Sequence, residues 1–520
     1  MNSLGHILRL LRLVWRLARA GALSPFASLI PSKGPARLIY ALANRLQRRT
    51  LPGRPGERLA QALRAQGPAF VKAGQALSTR PDLIGSSAAG DLTQLQDNLP
   101  PCTFDEIKPI LAATYDRPLD DLFSHFSETA LSAASVAQVH LATLSDGQEV
   151  AVKVIRPGVA KAFARDLTFL TWLAGSFERA RPDLKHLRPK GIIREFARNA
   201  TAELDLRLEA AALSKFRGQF TDKDPVVLPE PLWDLCGQSV LVMTRVAGTP
   251  IDHRKTLLDQ GHDLKAVLTQ AAEIFFTSVL THGYFHGDQH GGNMMIDAAG
   301  RVVFVDFGIM GTLPWRLRYF LADLMTLMLA QDYETLAKRY QTAGYLAPDQ
   351  DVKAFALSIR AVAEPIVGKP LEQVSFAKLL GQLLAMSQQY RLEMQPELFL
   401  LQKNMLMAEG ISRQLAPDLN IWTLAEPLIS KWARQNLGPA RHMREIRTEG
   451  LKLIDDLPRV FKYLRQQIDA LEAAEREAKQ TGKAPHPKAP QPGVPWRALL
   501  LGLTIGLTSG LMVALTSGLL

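Results

Sequence analysis

Two cysteines in 520 residues, Cys102 and Cys236, are too few and too far apart for a disulfide framework, and without a Cys-x-x-Cys spacing they make no thiolate zinc site. The chain suits a reducing compartment. Acidic residues are missing from positions 1–50, which carry nine Lys or Arg and so hold most of the net charge of +11. Beyond that arm the charges are mixed. Aromatics are only 7% of the chain and do not interleave with a basic stripe, which argues against nucleic-acid binding. Also missing are a Gly-x-Gly-x-x-Gly after a strand pattern and a cluster of oxygenase ligands, so hydroxylase chemistry has no carrier.

What is present is apolar enough, at 47% hydrophobic and 21% charged, for one large folded unit with appendages. In Leu4 to Ala20, Arg9, Arg12, Arg16 and Arg19 recur at spacings of three and four and share one helical face, while Leu, Ile, Val and Trp15 fill the other. Such a helix fits the surface of an anionic leaflet, where each cation contributes about 1 kcal/mol, or docks on its own domain. Arginines interrupt the apolar run and no small-x-small site follows, which disfavours a cleaved signal.

The stretch Ala498 to Leu520 is uncharged. At ~1.5 Å per residue a helix of this length reaches about 34 Å, enough to cross a bilayer. Gly502, Gly506 and Gly510 lie four apart, a small-residue face suited to a homodimer of membrane helices. A Pro- and Lys-containing linker precedes the span and nothing charged follows it, so the positive-inside rule predicts a cytoplasmic soluble domain.

Between these ends, residues 55 to 125 read as mainly helical, with turns near Pro81 and Pro100-Pro101. Alternation over Ser135 to Leu144 and Glu149 to Ile155, joined at Asp146-Gly147, predicts a β-hairpin. A long helical pattern runs from Arg188 to Phe220, Ser239 to Val246 reads as a strand, and helices dominate from Leu264 onward, broken by a strand pair at Met294 to Ile296 and Val302 to Val305. Strands with one helix, followed by a helical region, predict an α+β, bilobal, protein-kinase-like fold. It carries an N-terminal helical extension and a C-terminal transmembrane helix. The expected segments are a basic arm at 1–50, the extension at 51–128, an N-lobe at 129–250, a C-lobe at 251–470, a linker at 471–497 and the span at 498–520.

The chemistry concentrates in His286-Gly-Asp-Gln-His-Gly-Gly-Asn293 and Asp306-Phe-Gly308. Phosphoryl transfer needs one carboxylate to orient or deprotonate the attacking hydroxyl, and a carboxamide with a second carboxylate to hold Mg²⁺ against nucleotide phosphates. Asp288 takes the first role, Asn293 and Asp306 the second. Lys153, in Val150-Ala-Val-Lys153, is the expected strand lysine for the ATP phosphates. Its carboxylate partner is one of Glu203, Asp205 and Glu209, with Asp205 and Glu209 four apart on one helical face. Where kinases carry a glycine-rich loop, this chain has Ala133, Ala134, Ser135 and Val136. Their methyl groups crowd the approach of a phosphate, so nucleotide handling should differ from that of an ordinary kinase.

Together with Phe70 to Leu83, these residues resemble the UbiB family of atypical kinase-like proteins over about residues 60 to 460. The most specific element is Lys-x-Gly-Gln, here Lys72, Gly74 and Gln75, extended by Ser78-Thr-Arg-Pro-Asp82. The resemblance implies that the extension folds over the active site and that Lys72 meets a Glu-x-Asp motif, here Glu203 and Asp205, leaving Glu209 for Lys153. It implies binding of ATP and Mg²⁺, with ATPase activity ahead of protein phosphorylation. It also implies support of ubiquinone biosynthesis at a bacterial inner membrane, with membrane lipids, prenylated quinone precursors and other biosynthesis proteins as partners. Three departures stand out: Gln289 and Gly291 where the family has proline, the hinge strand Val242-Met-Thr-Arg245 where an acidic residue commonly follows Met, and one clear C-terminal span where two are frequent. Competing expectations are a small-molecule phosphotransferase of the aminoglycoside or choline kinase type, and an inactive nucleotide-dependent scaffold.

Overall fold

A computed structural model describes residues 3–30, 35–45, 52–78, 84–92, 100–180, 189–365, 375, 378–382, 386, 390, 392, 396–419 and 421–436. The chain divides into two units, Met1–Trp432 and Ala433–Leu520, and the sheets and lobes lie in the first. Ala498 to Leu520, with Gly502, Gly506 and Gly510, lies outside the described residues, as do the linker and Thr79 to Asp82. Among the described residues no helix is long and apolar enough to cross a membrane.

The N-terminal region is built from α1 (Ser3–Arg19), α2 (Pro35–Arg45), α3 (Pro55–Arg64), α4 (Pro68–Ser78) and α5 (Ser86–Leu92). Three of these open on proline, whose fixed φ and missing N–H suit the first helical position. Leu17, Ala18, Leu59, Leu63, Phe70 and Leu92 pack into one core. Of the two expectations for the basic helix, docking on its own domain is what the structure contains: His6 is buried and stacks on Trp172 at 5.3 Å. The helix still exposes Leu4, Leu8, Leu11 and Trp15.

Helix α6 (Phe104–Tyr115) and strand β1 (Phe123–Phe126) follow, then β2 (Ser132–Ala133), β3 (Ala137–Leu144) and β4 (Glu149–Ile155). The predicted hairpin is β3 and β4, antiparallel from Ala137↔Ile155 to Thr143↔Glu149. With β6 (Val240–Thr244) they form a sheet ordered β1-β3-β4-β6, with β2 beside β3; β1, from the segment assigned to the extension, is thus part of the N-lobe sheet. In β4, Val150, Val152 and Val154 alternate onto a fully buried face against Ile107 and Leu111 of α6. Each such burial is worth about 1.5–3 kcal/mol. The pleat turns Lys153 onto the other face, toward the cleft.

Two helices, α7 (Val159–Ala180) and α8 (Pro189–Ala202), precede α9 (Leu206–Arg217). The single helix read from Arg188 to Phe220 is in fact two, because the chain turns at Glu203-Leu204-Asp205. Asp205 caps α9, accepting from the Arg207 N–H at 3.2 Å. It therefore stands at the end of the helix, with its carboxylate on Arg207 at 2.7 Å.

The C-lobe is helical around Phe285, Leu317, Phe320, Leu336, Phe355 and Leu398. A small sheet runs β5 (Val226–Val227), β10 (Val302–Phe304), β9 (Met294–Ile296) and β7 (Thr249–Pro250), and β8 (Tyr284–His286) pairs with β11 (Met310–Thr312). The predicted strand pair is β9 and β10. The helices of this lobe include α10 (Arg254–Asp259), α11 (Leu264–Phe276), α12 (Trp315–Leu329), α13 (Tyr333–Thr342), α14 (Val352–Ala363) and α15 (Pro396–Leu415).

Candidate active site

Four segments converge on one cleft. Strand β4 supplies Lys153, α9 supplies Glu209, the loop after β10 supplies Asp306, and the loop after β8 supplies Asp288 and Asn293. Lys153 Nζ lies 2.6 Å from Glu209 Oε1 and 3.3 Å from Asp306 Oδ2, so Glu209 is the lysine's partner among the three carboxylates left open by the sequence. Glu209 also accepts from the Phe307 N–H at 3.5 Å. Phe307 is buried against Phe216, and the His286 ring bonds the Asp306 carbonyl through Nε2. The Asp-Phe-Gly turn is thereby anchored from below while the Asp306 carboxylate remains 41% exposed.

Charge in this cluster is settled by competition. The partial loss of water around it would raise the Asp306 carboxyl, but Lys153, the Gly308 N–H at 2.9 Å, His286 and Lys72 together hold it below the usual carboxylate range. Burial opposes the Lys153 ammonium, yet Asp306 and Glu209 raise it above its ordinary value. Glu209 is pushed up, first by burial and then by the neighbouring Asp306 charge, against the pull of Lys153. The lysine is a cation and Asp306 an anion at neutral pH.

The registry of β9 with β10 sets Asn293 beside Val305, whose N–H donates to the Asn293 carbonyl at 3.3 Å. The Asn293 carboxamide donates through Nδ2 to the Asp288 carbonyl at 3.1 Å, which leaves its oxygen as the atom that could ligate a cation. Among the described residues no three His, Cys, Asp or Glu side chains form a metal cage. One carboxylate and one carboxamide would suit Mg²⁺, a hard cation that takes oxygen ligands.

The alanine-rich hairpin turns inward. Ala133 pairs with Gln138, and the Ala134 N–H donates to the Ala137 carbonyl at 2.8 Å. Val136 packs into the core, and its carbonyl accepts from the Arg156 N–H at 2.8 Å. Ser135 is fully buried, and among the described residues its hydroxyl has no hydrogen-bond partner. A buried orphan hydroxyl costs about 1–3 kcal/mol, so its presence at the position of a phosphate loop fits a ligand group that would satisfy it.

The extension enters the same cleft. Lys72, on α4, pairs with Glu203 at 2.9 Å, and its charge also acts on Asp306. Gln75, one turn on, is half-buried, and its carbonyl accepts from the Ser78 hydroxyl at 2.6 Å. Asp205 is instead held by Arg207 at 2.7 Å, so the Glu-x-Asp pair divides: one carboxylate faces Lys72, the other caps α9.

Sequence reasoning missed the contribution of α15. Lys403 Nζ lies 2.8 Å from Asp288 Oδ1, and the fully buried Asn404 accepts from the Gln289 N–H at 3.2 Å. Leu400, a turn earlier, packs where a Cβ on Gly287 would have to sit. Three successive loop residues are thus met by one helix face. Nothing local signals this, since Lys403 lies 115 residues beyond Asp288 and reads alone as a solvated helix lysine.

Residues 94–340 match the ABC1 atypical kinase-like domain, and residues 359–420 match the UbiB helical domain. A Marinobacter nauticus protein named Probable protein kinase UbiB is 37% identical over 443 residues, 83% of this chain and 80% of its own length. The chain belongs to the UbiB family. A Pseudomonas putida protein of the same name is 35% identical over 463 residues, covering 87% of this chain and 84% of its own. A solved structure of a Mycobacterium tuberculosis protein in complex with erythromycin is 26% identical, covers 75% of this chain and 96% of its own, and has a TM-score of 0.48. In this UbiB chain the match to the helical domain contains Lys403 and Asn404, so that domain, and not the kinase-like one, supplies the cation on Asp288.

Proposed function

We propose that this protein is a membrane-anchored atypical kinase or ATPase that binds Mg-ATP and supports ubiquinone biosynthesis, acting on or presenting prenylated precursors. One observation carries the reading: Lys72 of the extension is paired with Glu203 beside the Lys153, Glu209 and Asp306 set, so a family-specific segment closes onto kinase-like machinery. Such a cover favours turnover of nucleotide over access by a protein substrate.

In this reading Asn293 and Asp306 hold Mg²⁺, which when bound offsets the charge of the nucleotide phosphates. Lys153 contacts phosphate oxygens and is kept in place by Glu209. Asp288 accepts the proton of the attacking hydroxyl or water, and Lys403, 2.8 Å away, keeps that carboxylate aimed. Gln75 and the Ala133 to Val136 hairpin border the nucleotide. The membrane role draws on Ala498 to Leu520 and on the exposed leucines and Trp15 of α1.

The test is genetic and chemical. Quinone and intermediate lipids are measured by mass spectrometry in a deletion strain carrying wild type, Lys72→Ala or Asp306→Asn. Restoration by wild type and failure of both variants is expected. Full restoration by Asp306→Asn would overturn the catalytic reading in favour of a scaffold.

A further inference from the structure

A cavity of about 440 Å³ lies away from the nucleotide cleft, between α1, the α3–α4 junction and α7. Its walls carry four guanidinium groups, Arg9, Arg12 and Arg16 from α1 and Arg165 from α7, with the rings of Phe70 and Phe169. The acidic complement is one residue. Asp166, only 1% exposed, is shared by Arg9 and Arg165. Arg9 also lies over the Phe169 ring at 4.6 Å and donates to the Arg165 carbonyl at 3.3 Å, so it is fixed in the wall.

Arg12 and Arg16 are different. Arg16 donates to the neutral Gln66 side chain at 3.1 Å, and Arg12 has no hydrogen-bond or ion-pair partner among the described residues. Like charges three and four apart on a helix repel one another, and residues 1–50 offer no carboxylate to relieve them. Four cations against one buried anion leave a surplus of three in a concavity whose inner wall is aromatic. The volume falls in the range of small-ligand sites, about 300–1,000 Å³. Arginine forks match phosphate oxygens bidentately, and the Phe70 and Phe169 rings suit the carbon portion of an amphiphile.

We propose that this pocket binds a phosphate-bearing anion, either a phospholipid headgroup or a free organic phosphate or diphosphate, with Arg12 and Arg16 as the recognising residues. The pocket borders Phe70, two residues before Lys72 on α4, so its occupant touches the helix that covers the nucleotide cleft. Recognition by these arginines is independent of nucleotide in that cleft.

The experiment titrates inorganic pyrophosphate into the full chain, with Mg-ADP in excess to occupy the cleft, and reads the affinity. The variants are Arg12→Gln/Arg16→Gln and, as an equal charge loss on α2, Arg37→Gln/Arg45→Gln. Both pairs are exposed, so unchanged melting without ligand is expected of each. If the first pair fails to fold, Arg12→Gln alone replaces it. Tenfold or greater weakening in the pocket variant, with the α2 variant within twofold of wild type, supports the proposal. Equal weakening in both variants, or no binding by wild type to pyrophosphate or to vesicles, overturns it. Vesicles of phosphatidylcholine with phosphatidylglycerol then separate the sources: displacement of pyrophosphate by vesicles identifies a headgroup site, and retention identifies a free phosphate compound.

Discussion

Lys403 Nζ stands 2.8 Å from Asp288 Oδ1, joining the helical domain to the carboxylate of the His286-Gly-Asp288 loop. An ammonium there fixes the rotamer of the carboxylate. Lys403→Met should lower the rate of ATP turnover about tenfold to a hundredfold while leaving the KM for nucleotide nearly unchanged, since misplacement of a reacting group by about 1 Å costs on that scale. Lys403→Arg should recover most of the rate. Steady-state kinetics with the KM and kcat effects separated check this; equal loss in both variants would point to a packing role.

The pair of Lys72 with Glu203 joins the extension to the turn before α9. Both side chains are largely enclosed, at 12% and 22% exposure, so the pair is screened less than a surface bridge. A double-mutant cycle with Lys72→Met and Glu203→Gln, read by denaturant unfolding, should give a coupling of about 1 kcal/mol. Additive effects would mean that this pair does not help to hold the extension.

Asp306 gives a pH dependence with a definite sign. Its carboxyl, only partly withdrawn from water, is held below the usual range chiefly by Lys153. The stability it contributes is therefore full above its unfolded value of about 4 and is lost as pH falls from there toward the lower folded value. The melting temperature of wild type relative to Asp306→Asn should be constant between about pH 6 and 8, and should fall below about pH 4. A difference that grows on acidification would contradict the assignment.

The Asp252 carboxylate fills the space that a Cβ on Gly291 would take. Gly291→Ala should destabilise by about 1–3 kcal/mol through overpacking, and Asp252→Ala should remove most of that penalty in the double variant. Thermal unfolding of the four proteins reads the compensation. The His290 ring accepts from the Gly292 N–H at 3.0 Å, and the Asn293 and Met294 N–H groups bond the His290 carbonyl, so the loop is organised by its own hydrogen bonds.

Much of this site could be read from the chain because its parts are local. Asp288, Asn293 and Asp306 fall within nineteen positions, and strand alternation alone sends Lys153 to the cleft face. The choice of Glu209 over Glu203 and Asp205 needed the break in the helix. Apolar periodicity runs through residues 203–205 and hides that break; the visible signal was an aspartate able to cap a helix. Lys403 and Asn404 were illegible because their partner lies a whole domain earlier and only tertiary packing makes the pair. Arg9, Arg12 and Arg16 were correctly placed on one face, but periodicity does not say which face turns inward. The structure sets Arg9 on Asp166 and leaves Leu4, Leu8 and Leu11 outside.

The central claim is a Mg-dependent nucleotide site built on Asp306 and Lys153, and calorimetric titration of ADP into the full chain, with and without Mg²⁺, tests it most directly. Binding by wild type that strengthens at least tenfold with Mg²⁺, and loss of that Mg²⁺ dependence in Asp306→Asn, is the expected result. Absence of nucleotide binding by wild type, or the same Mg²⁺ dependence in Asp306→Asn, would contradict it.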